Sequence, residues 1–205
     1  MVHHVAITFI RHGITAENEA KQYIGWTDVP LSEKGMKQLK TGSYPTVDFV
    51  ITSDLLRCHQ TARCLFPHLR VEQCEHWREL HFGEFEGKTY EELKAVDSYG
   101  RWLADPFGVA PPNGESFLDF QKRIEQGIEK TLSFFSASVR HIAVVTHGGP
   151  IRYILSRYAP ETRSFWEWSV PFGGGFTLYS TLERWRRRER CISLAAVPFK
   201  ESENG

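Results

Sequence analysis

Apolar residues follow two rhythms along this chain, and the changes between them mark out its elements. Short β-branched and aromatic runs, Val5-Ala6-Ile7-Thr8-Phe9-Ile10 and His141 through Thr146, read as buried strands. Asp48 to Thr52, Val71 to Cys74, Phe176 to Leu182 and Cys191 to Val197 continue the series. Elsewhere the period shifts to three and four. Phe117, Phe120, Ile124, Ile128, Leu132 and Phe135 line one face of a helix predicted over Phe117 to Phe135, with Ser116 and Asp119 as a capping-box pattern. Ser32 and Glu33 open a helix through Leu39, and Ser53 is expected to cap another through Leu65, with Asp54 in its first turn. Thr89 to Val96 and Ser98 to Ala104 are shorter candidates, and Pro150 suits the first position of a helix after Gly148 and Gly149. Strands alternating with helices predict an α/β fold of three layers, α/β/α, with a mostly parallel sheet. No repeat or low-complexity linker divides the chain. Residues 1–200 are therefore expected to form one domain, and 201–205 a disordered tail.

Composition narrows the function classes. Lys plus Arg and Asp plus Glu each number 25, so no net charge draws the chain to nucleic acid or an anionic membrane. No apolar stretch is long enough to span a bilayer, and Met1 leads into the first strand with no room for a signal peptide. Cys58, Cys64, Cys74 and Cys191 show neither a C-x-x-C pair nor zinc-type spacing, which points to reduced thiols and a cytoplasmic protein. The basic run from Trp185 to Arg190 is expected to be a solvated tip between the last two strands.

The chemistry gathers at strand ends. Arg11-His12-Gly13 follows the first strand, and a histidine there can attack phosphorus while the arginine holds the phosphate oxygens. His147 follows the strand ending at Thr146, before a helix whose N-terminal amides favour an anion. Thr52-Ser53 leads to Arg57 in the same way. Each histidine precedes a glycine that lets the backbone approach a ligand closely. Three strand ends carrying two histidines and two arginines describe an oxyanion pocket at the carboxyl edge of the sheet.

These residues, read together, resemble the histidine phosphatase superfamily, the phosphoglycerate mutase-like fold. The likeness rests on Arg11-His12-Gly13 with Thr15 and Asn18, on Thr52 through Arg57 running to Thr61-Ala62, and on Arg78-Glu79-Leu80-His81-Phe82-Gly83. Asn113-Gly114-Glu115-Ser116 and Thr146-His147-Gly148-Gly149 complete it, so that it spans about Val5 to Arg152. The resemblance implies that His12 is the nucleophile and forms a phosphohistidine. It implies that Arg11, Asn18, Arg57, His147 and the Gly148 backbone bind the phosphoryl group, and that Glu79 is the proton donor, with catalysis resting on His12, Glu79 and His147. No metal and no cofactor is required, since the arginines and His147 supply the positive charge. Glu84 and Glu86 are rival donors, expected to be solvated. His59, His68, His76 and His81 carry no partner pattern. Ile14 stands where family members often carry an acidic residue, a departure that removes no phosphate ligand.

Within the superfamily the expected activity is a metal-independent phosphomonoester phosphatase acting on a small phosphorylated substrate. Gly25 to Leu31 and Asp105 to Ser116 are similar to α-ribazole phosphatases and to broad-specificity bacterial phosphatases. The alternative is a phosphoglycerate mutase, whose cofactor-dependent members carry a long insertion with substrate-binding arginines between the segments that contain Glu79 and Glu115 here. This chain keeps that interval short, with Arg101 its only arginine. An inactive phospho-ligand module is the remaining reading, although neither the nucleophile nor an arginine is lost. Trp26, Trp102, Phe107, Trp166 and Trp168 either rim the pocket for a ring-bearing leaving group or pack the core. Oligomeric state is not legible.

Overall fold

In the computed structural model, which describes residues 4–198, both rhythms resolve into a single sheet covered on each face by helices. In chain order the elements are β1 (His4–Arg11), α1 (Ala16–Glu19), α2 (Glu33–Leu39), β2 (Phe49–Thr52), α3 (Leu56–Leu65), β3 (Val71–Gln73), α4 (Tyr90–Leu93), α5 (Asp97–Ala104), α6 (Phe117–Leu132), β4 (His141–Thr146), α7 (Gly148–Tyr158), β5 (Gly175–Thr181), α8 (Leu182–Arg186) and β6 (Ser193–Val197). Short 3-10 turns occupy Glu75–Trp77, Gly83–Phe85 and Phe165–Glu167. The six strands lie in the order β3-β2-β4-β1-β5-β6. The first four are parallel, β5 runs antiparallel to β1, and β6 antiparallel to β5. The expected mostly parallel α/β sheet is therefore what forms.

Alternation along the strands sorts the core into two layers. Ile7, Phe9, Ile142 and Val144 pack under α6 and α7, while Ile10, Val50, Ala143 and Val145 pack under α3. Strands buried on both faces need apolar residues at nearly every position, which is why β1 and β4 read as unbroken runs. A third, smaller cluster of Phe85, Leu93, Tyr99 and Trp102 sits apart. No helix among the described residues is long and apolar enough to cross a membrane. All four cysteines are free, and three are buried.

Several expectations shift. Ser53 does not cap α3, which begins three residues later at Leu56; Asp28 Oδ1 accepts from Leu56 N at 2.7 Å, and Asp54 pairs with Arg78 instead. The apolar period outlasts α6, because Ser133 ends the helix while Phe135 packs on the same core from the turn beyond. Ser116 does accept from Asp119 N at 3.1 Å, without the reciprocal bond of a full capping box. The Trp185–Arg190 run is anchored rather than merely solvated. Trp185 is buried against Tyr158, and Arg190 donates to the carbonyls of Ala159 and Ser156. The predicted tail, 201–205, lies outside the described residues.

Candidate active site

Three parallel strands end at one level. β1 and β4 stay in register to Arg11 and Thr146, and His12 N continues the ladder by donating to Thr146 O at 2.9 Å. Ser53 N does the same to Val145 O at 2.9 Å. His12, Ser53 and His147 thus step off β1, β2 and β4 as neighbours, with the two imidazole centroids 5.0 Å apart.

Hydrogen bonds fix the tautomer of each ring. His12 Nδ1 lies 2.7 Å from Gly13 O, and a carbonyl only accepts, so Nδ1 carries the proton and Nε2 keeps its lone pair. Burial, reinforced by Arg57 and Arg11, holds the His12 pKa well below its ordinary value, so the ring stays neutral and nucleophilic. Arg57 Nη2 donates to His147 Nδ1 at 3.3 Å, which leaves His147 Nε2–H directed at Ser53 Oγ, 3.1 Å away. Burial and the same arginines keep His147 neutral too, so the expectation that it shares in supplying positive charge fails and that charge rests on the arginines. Cys58 Sγ lies 3.4 Å from His147 Nε2, and burial pushes that thiol up to about 12.

Two buried guanidinium groups flank the rings. Arg57 is fully buried and donates to Thr27 O at 2.9 Å and Gly25 O at 2.6 Å. Arg11 donates to Val170 O at 2.7 Å and stacks 3.6 Å over the Phe172 ring. Burial lowers its pKa to about 10, which still leaves a cation at neutral pH. The Nε atoms of both arginines are buried with no partner among the described residues. Such donors are what an anion of several oxygens satisfies. Gly148 lies against Arg11, where a Cβ would stand 3.4 Å from Cζ.

Glu79 faces this cluster from the loop after the Glu75–Trp77 turn. Its Oε2 accepts from Gly149 N at 3.0 Å, so it supplies the N-terminal cap that α7 lacks from His147, and Oε1 accepts from Leu80 N at 3.0 Å. Gly149 is required for that approach, since a Cβ would fall 2.1 Å from Oε1. The loop itself is tied by Arg123, which donates to the carbonyls of His76, Arg78 and Glu79 and forks onto Glu115. Trp26 Nε1 also donates to Glu79 O, at 2.9 Å.

The structure therefore brings together Arg11, His12, Arg57, His147 and Gly148, with Glu79 across from them. Asn18 is on α1, where its Oδ1 accepts from Thr15 N at 3.2 Å in a capping box, and no hydrogen bond links it to the His12 cluster among the described residues. Thr15 is the N-cap of that helix. Glu84 remains exposed, but the expectation that Glu86 is solvated fails. Glu86 is half-buried and accepts from Trp26, Thr27 and Phe82, and those bonds hold its carboxyl low although burial pushes it up. His81 lies near Glu86 and packs on Trp26. Sequence reasoning missed Ser53, Phe172, Arg123 and Arg152 as parts of the site. Ser53 could have been found as the residue after Thr52 at a strand end; the others follow from tertiary contacts alone. No three His, Cys, Asp or Glu side chains gather as a metal site among the described residues.

Beside Glu79 and Gly149 opens a cavity of about 590 Å³. Its wall is aromatic, with Phe107 and Trp166 roughly parallel at 6.0 Å and both largely exposed. The tryptophans divide. Trp166 and Phe107 line the cavity from exposed positions and Trp102 lines it from the third core cluster, whereas Trp168 is core and Trp26 is hydrogen-bonded to the Glu79 carbonyl.

Comparison with known proteins gives one picture. The family model described as "Histidine phosphatase superfamily (branch 1)" matches residues 7–194. The chain is 31% identical to the adenosylcobalamin/alpha-ribazole phosphatase of Salmonella typhimurium over 80% of this chain and 85% of that protein. Among solved structures it is similar to a candidate alpha-ribazole-5'-P phosphatase from Escherichia coli, with a TM-score of 0.80, 25% identity and 98% of both chains covered. It also resembles a phosphoglycerate mutase from Thermus thermophilus, with a TM-score of 0.66, 29% identity, and 94% of this chain and 99% of that one covered.

Proposed function

The chain belongs to the histidine phosphatase superfamily and is an enzyme of that type, and from this premise we propose that it hydrolyses a small ring-bearing phosphomonoester through a phosphohistidine on His12. The observation that carries this reading is a cluster of buried His12, Arg57 and His147 with partly buried Arg11, beside an aromatic-walled cavity with Glu79 at the junction.

His12 Nε2 attacks phosphorus, forming the N–P bond as the ester P–O bond breaks. Arg11, Arg57, His147 and the Gly148 amide hold the phosphoryl oxygens, electrostatic preorganisation of the kind that supplies most of the acceleration in many enzymes. Asn18 contributes the Nδ2 donor that its capping bond leaves unused. Glu79 gives a proton to the departing alkoxide and takes one from the water that then attacks the phosphohistidine, releasing phosphate and regenerating neutral His12. The positive charge comes from arginine, so turnover is expected to survive exhaustive chelation of divalent ions.

The leading substrate is α-ribazole 5′-phosphate, supported by the named relatives and by a wall suited to stacking a benzimidazole ring. The segment between Glu79 and Glu115 delivers aromatics to the cavity, while its arginine, Arg101, is exposed. Free thiols at all four cysteines support placing the enzyme in the cytoplasm. The test compares kcat/KM for α-ribazole 5′-phosphate, 3-phosphoglycerate and simple alkyl phosphates, with inorganic phosphate as the readout. A preference for the ribazole ester of roughly a hundredfold is expected from ring burial. Transfer between the 2- and 3-positions of glycerate outrunning hydrolysis would contradict it and establish a mutase.

A further inference from the structure

One cation in the cavity wall has most of its donors uncommitted. Arg152 lies one turn into α7 from Gly149 and is half-buried. Its Nε donates to Trp168 O at 3.1 Å, and its Cζ stands 5.9 Å from the Trp166 ring. Neither Nη atom meets a hydrogen-bond acceptor or a carboxylate among the described residues. The tether at Nε fixes the guanidinium plane, so the Nη edge is a pre-oriented pair of donors at the seam between Glu79 and the aromatic wall.

Three ligand chemistries fit a guanidinium, and their surroundings separate them. Arg152 stands near enough to Arg11 for its charge to help lower the Arg11 pKa, but the phosphoryl group already has Arg11, Arg57 and His147, and the Arg152 guanidinium is tethered by Nε to Trp168 O in the cavity wall. A short carboxylate-bearing leaving group such as glycerate would occupy only a small part of a 590 Å³ cavity and leave its aromatic wall uncovered. A ring attached directly to the phosphoryl oxygen would cover the wall but offer the Nη donors nothing.

We propose that Arg152 reads hydroxyl oxygens on a sugar-like segment between phosphoryl group and ring, and is the specificity-determining residue for glycosyl-type phosphomonoesters. This rests on the phosphatase reading above and names the part of the substrate that reading leaves open. A site built to donate to substrate hydroxyls discriminates strongly against analogues that lack them, because its donors are then left unmatched.

The experiment measures kcat/KM for wild type, Arg152→Met and Arg152→Lys with three esters: α-ribazole 5′-phosphate (sugar and ring), ribose 5-phosphate (sugar alone) and p-nitrophenyl phosphate (ring alone). Arg152→Met is expected to cost roughly tenfold to a hundredfold on the two sugar esters, the size of charge-assisted hydrogen bonds, and less than about threefold on p-nitrophenyl phosphate. Arg152→Lys is expected to restore part of the loss on the sugar esters. The ratio between esters within one preparation is independent of the folded fraction, so partial misfolding leaves the result readable. Equal loss on all three esters would overturn the proposal, giving Arg152 a phosphoryl or structural role. A loss concentrated on 3-phosphoglycerate, added as a fourth ester, would overturn it in favour of a carboxylate clamp. Failure of the ribazole reading shows separately, as a wild type with no preference for that ester, while the ribose-to-nitrophenyl ratio still judges Arg152. A wild type inactive on every ester would overturn the phosphatase reading, and the proposal with it.

Discussion

In the phosphoryl cluster His12, Ser53 and His147 step directly off strands, whereas the wall of the adjoining cavity is assembled from the ends of α5, α6 and α7 together with turns and loops. The first region inherits its precision from the sheet. His12 N and Ser53 N extend the β ladders by one bond each, so the placement of these residues is set by the same register that builds the core. The second region is held by apolar contact among aromatic rings, with Phe107 and Trp166 half open to solvent. Chemistry that needs sub-ångström placement sits on the rigid element, and recognition that tolerates adjustment sits on the pliable one. Between them stand Glu79 and Gly149, where the α7 N-terminus meets the cavity.

That division predicts a graded response to substitution. The largest effect belongs to the cluster: His12→Ala should lower kcat/KM by roughly 10⁵–10⁶-fold for every ester, as loss of a nucleophile does. Activity within tenfold of wild type would break the division at its root. At the junction, Glu79→Gln should cost roughly 10²–10⁴-fold with alkyl phosphates and much less in the phosphorylation step with p-nitrophenyl phosphate, whose leaving group scarcely needs a proton. Equal losses in that step would send the donor role elsewhere.

Gly149→Ala tests the same junction by geometry. The added methyl displaces the Glu79 carboxylate without removing it, and a shift of about 1 Å costs on the order of a hundredfold. The loss should follow leaving-group basicity as it does for Glu79→Gln, and a loss uniform across esters would contradict that link. In the wall, Phe107→Ala should cost only about threefold to tenfold, confined to ring-bearing esters. The effect should vanish with ribose 5-phosphate.

How much of this is legible in the sequence follows the same line. β1, β4 and α6 show in the apolar pattern because local periodicity and tertiary burial agree there, and the strand-end residues His12 and His147 are legible with them, as is Arg57 in the first turn of α3. Ser53 reads wrongly as a helix cap because its type suits one. The real partner of the α3 N-terminus is Asp28, far away in sequence, and nothing local announces it. Arg152, Phe165 and Phe172 carry no periodic signal that separates a wall from a core. Arg152 on α7 meets Phe165 at the cavity wall, and Phe172 meets Arg11, only through tertiary contacts between distant parts of the chain. The five aromatics weighed as rim or core divide for this reason.

The smallest effect is on stability. His12 and His147 are held neutral by burial, so below about pH 6.5 the unfolded chain binds protons on them that the folded chain does not. Stability should therefore fall with pH in the window beneath 6.5, by up to about 1.4 kcal/mol per pH unit for each histidine. Replacing both by asparagine should flatten the slope of unfolding free energy between roughly pH 6.5 and 5, before carboxylates such as Asp54 begin to titrate. An unchanged slope would show that neither ring is kept neutral.

The most direct measurement is rapid denaturing quench of the enzyme with ³²P-labelled substrate, followed by peptide mapping of the trapped label. An acid-labile, alkali-stable phosphoenzyme on His12, absent from His12→Ala, is the expected result. Label retained in that variant, or found on another side chain, would contradict His12 as the nucleophile.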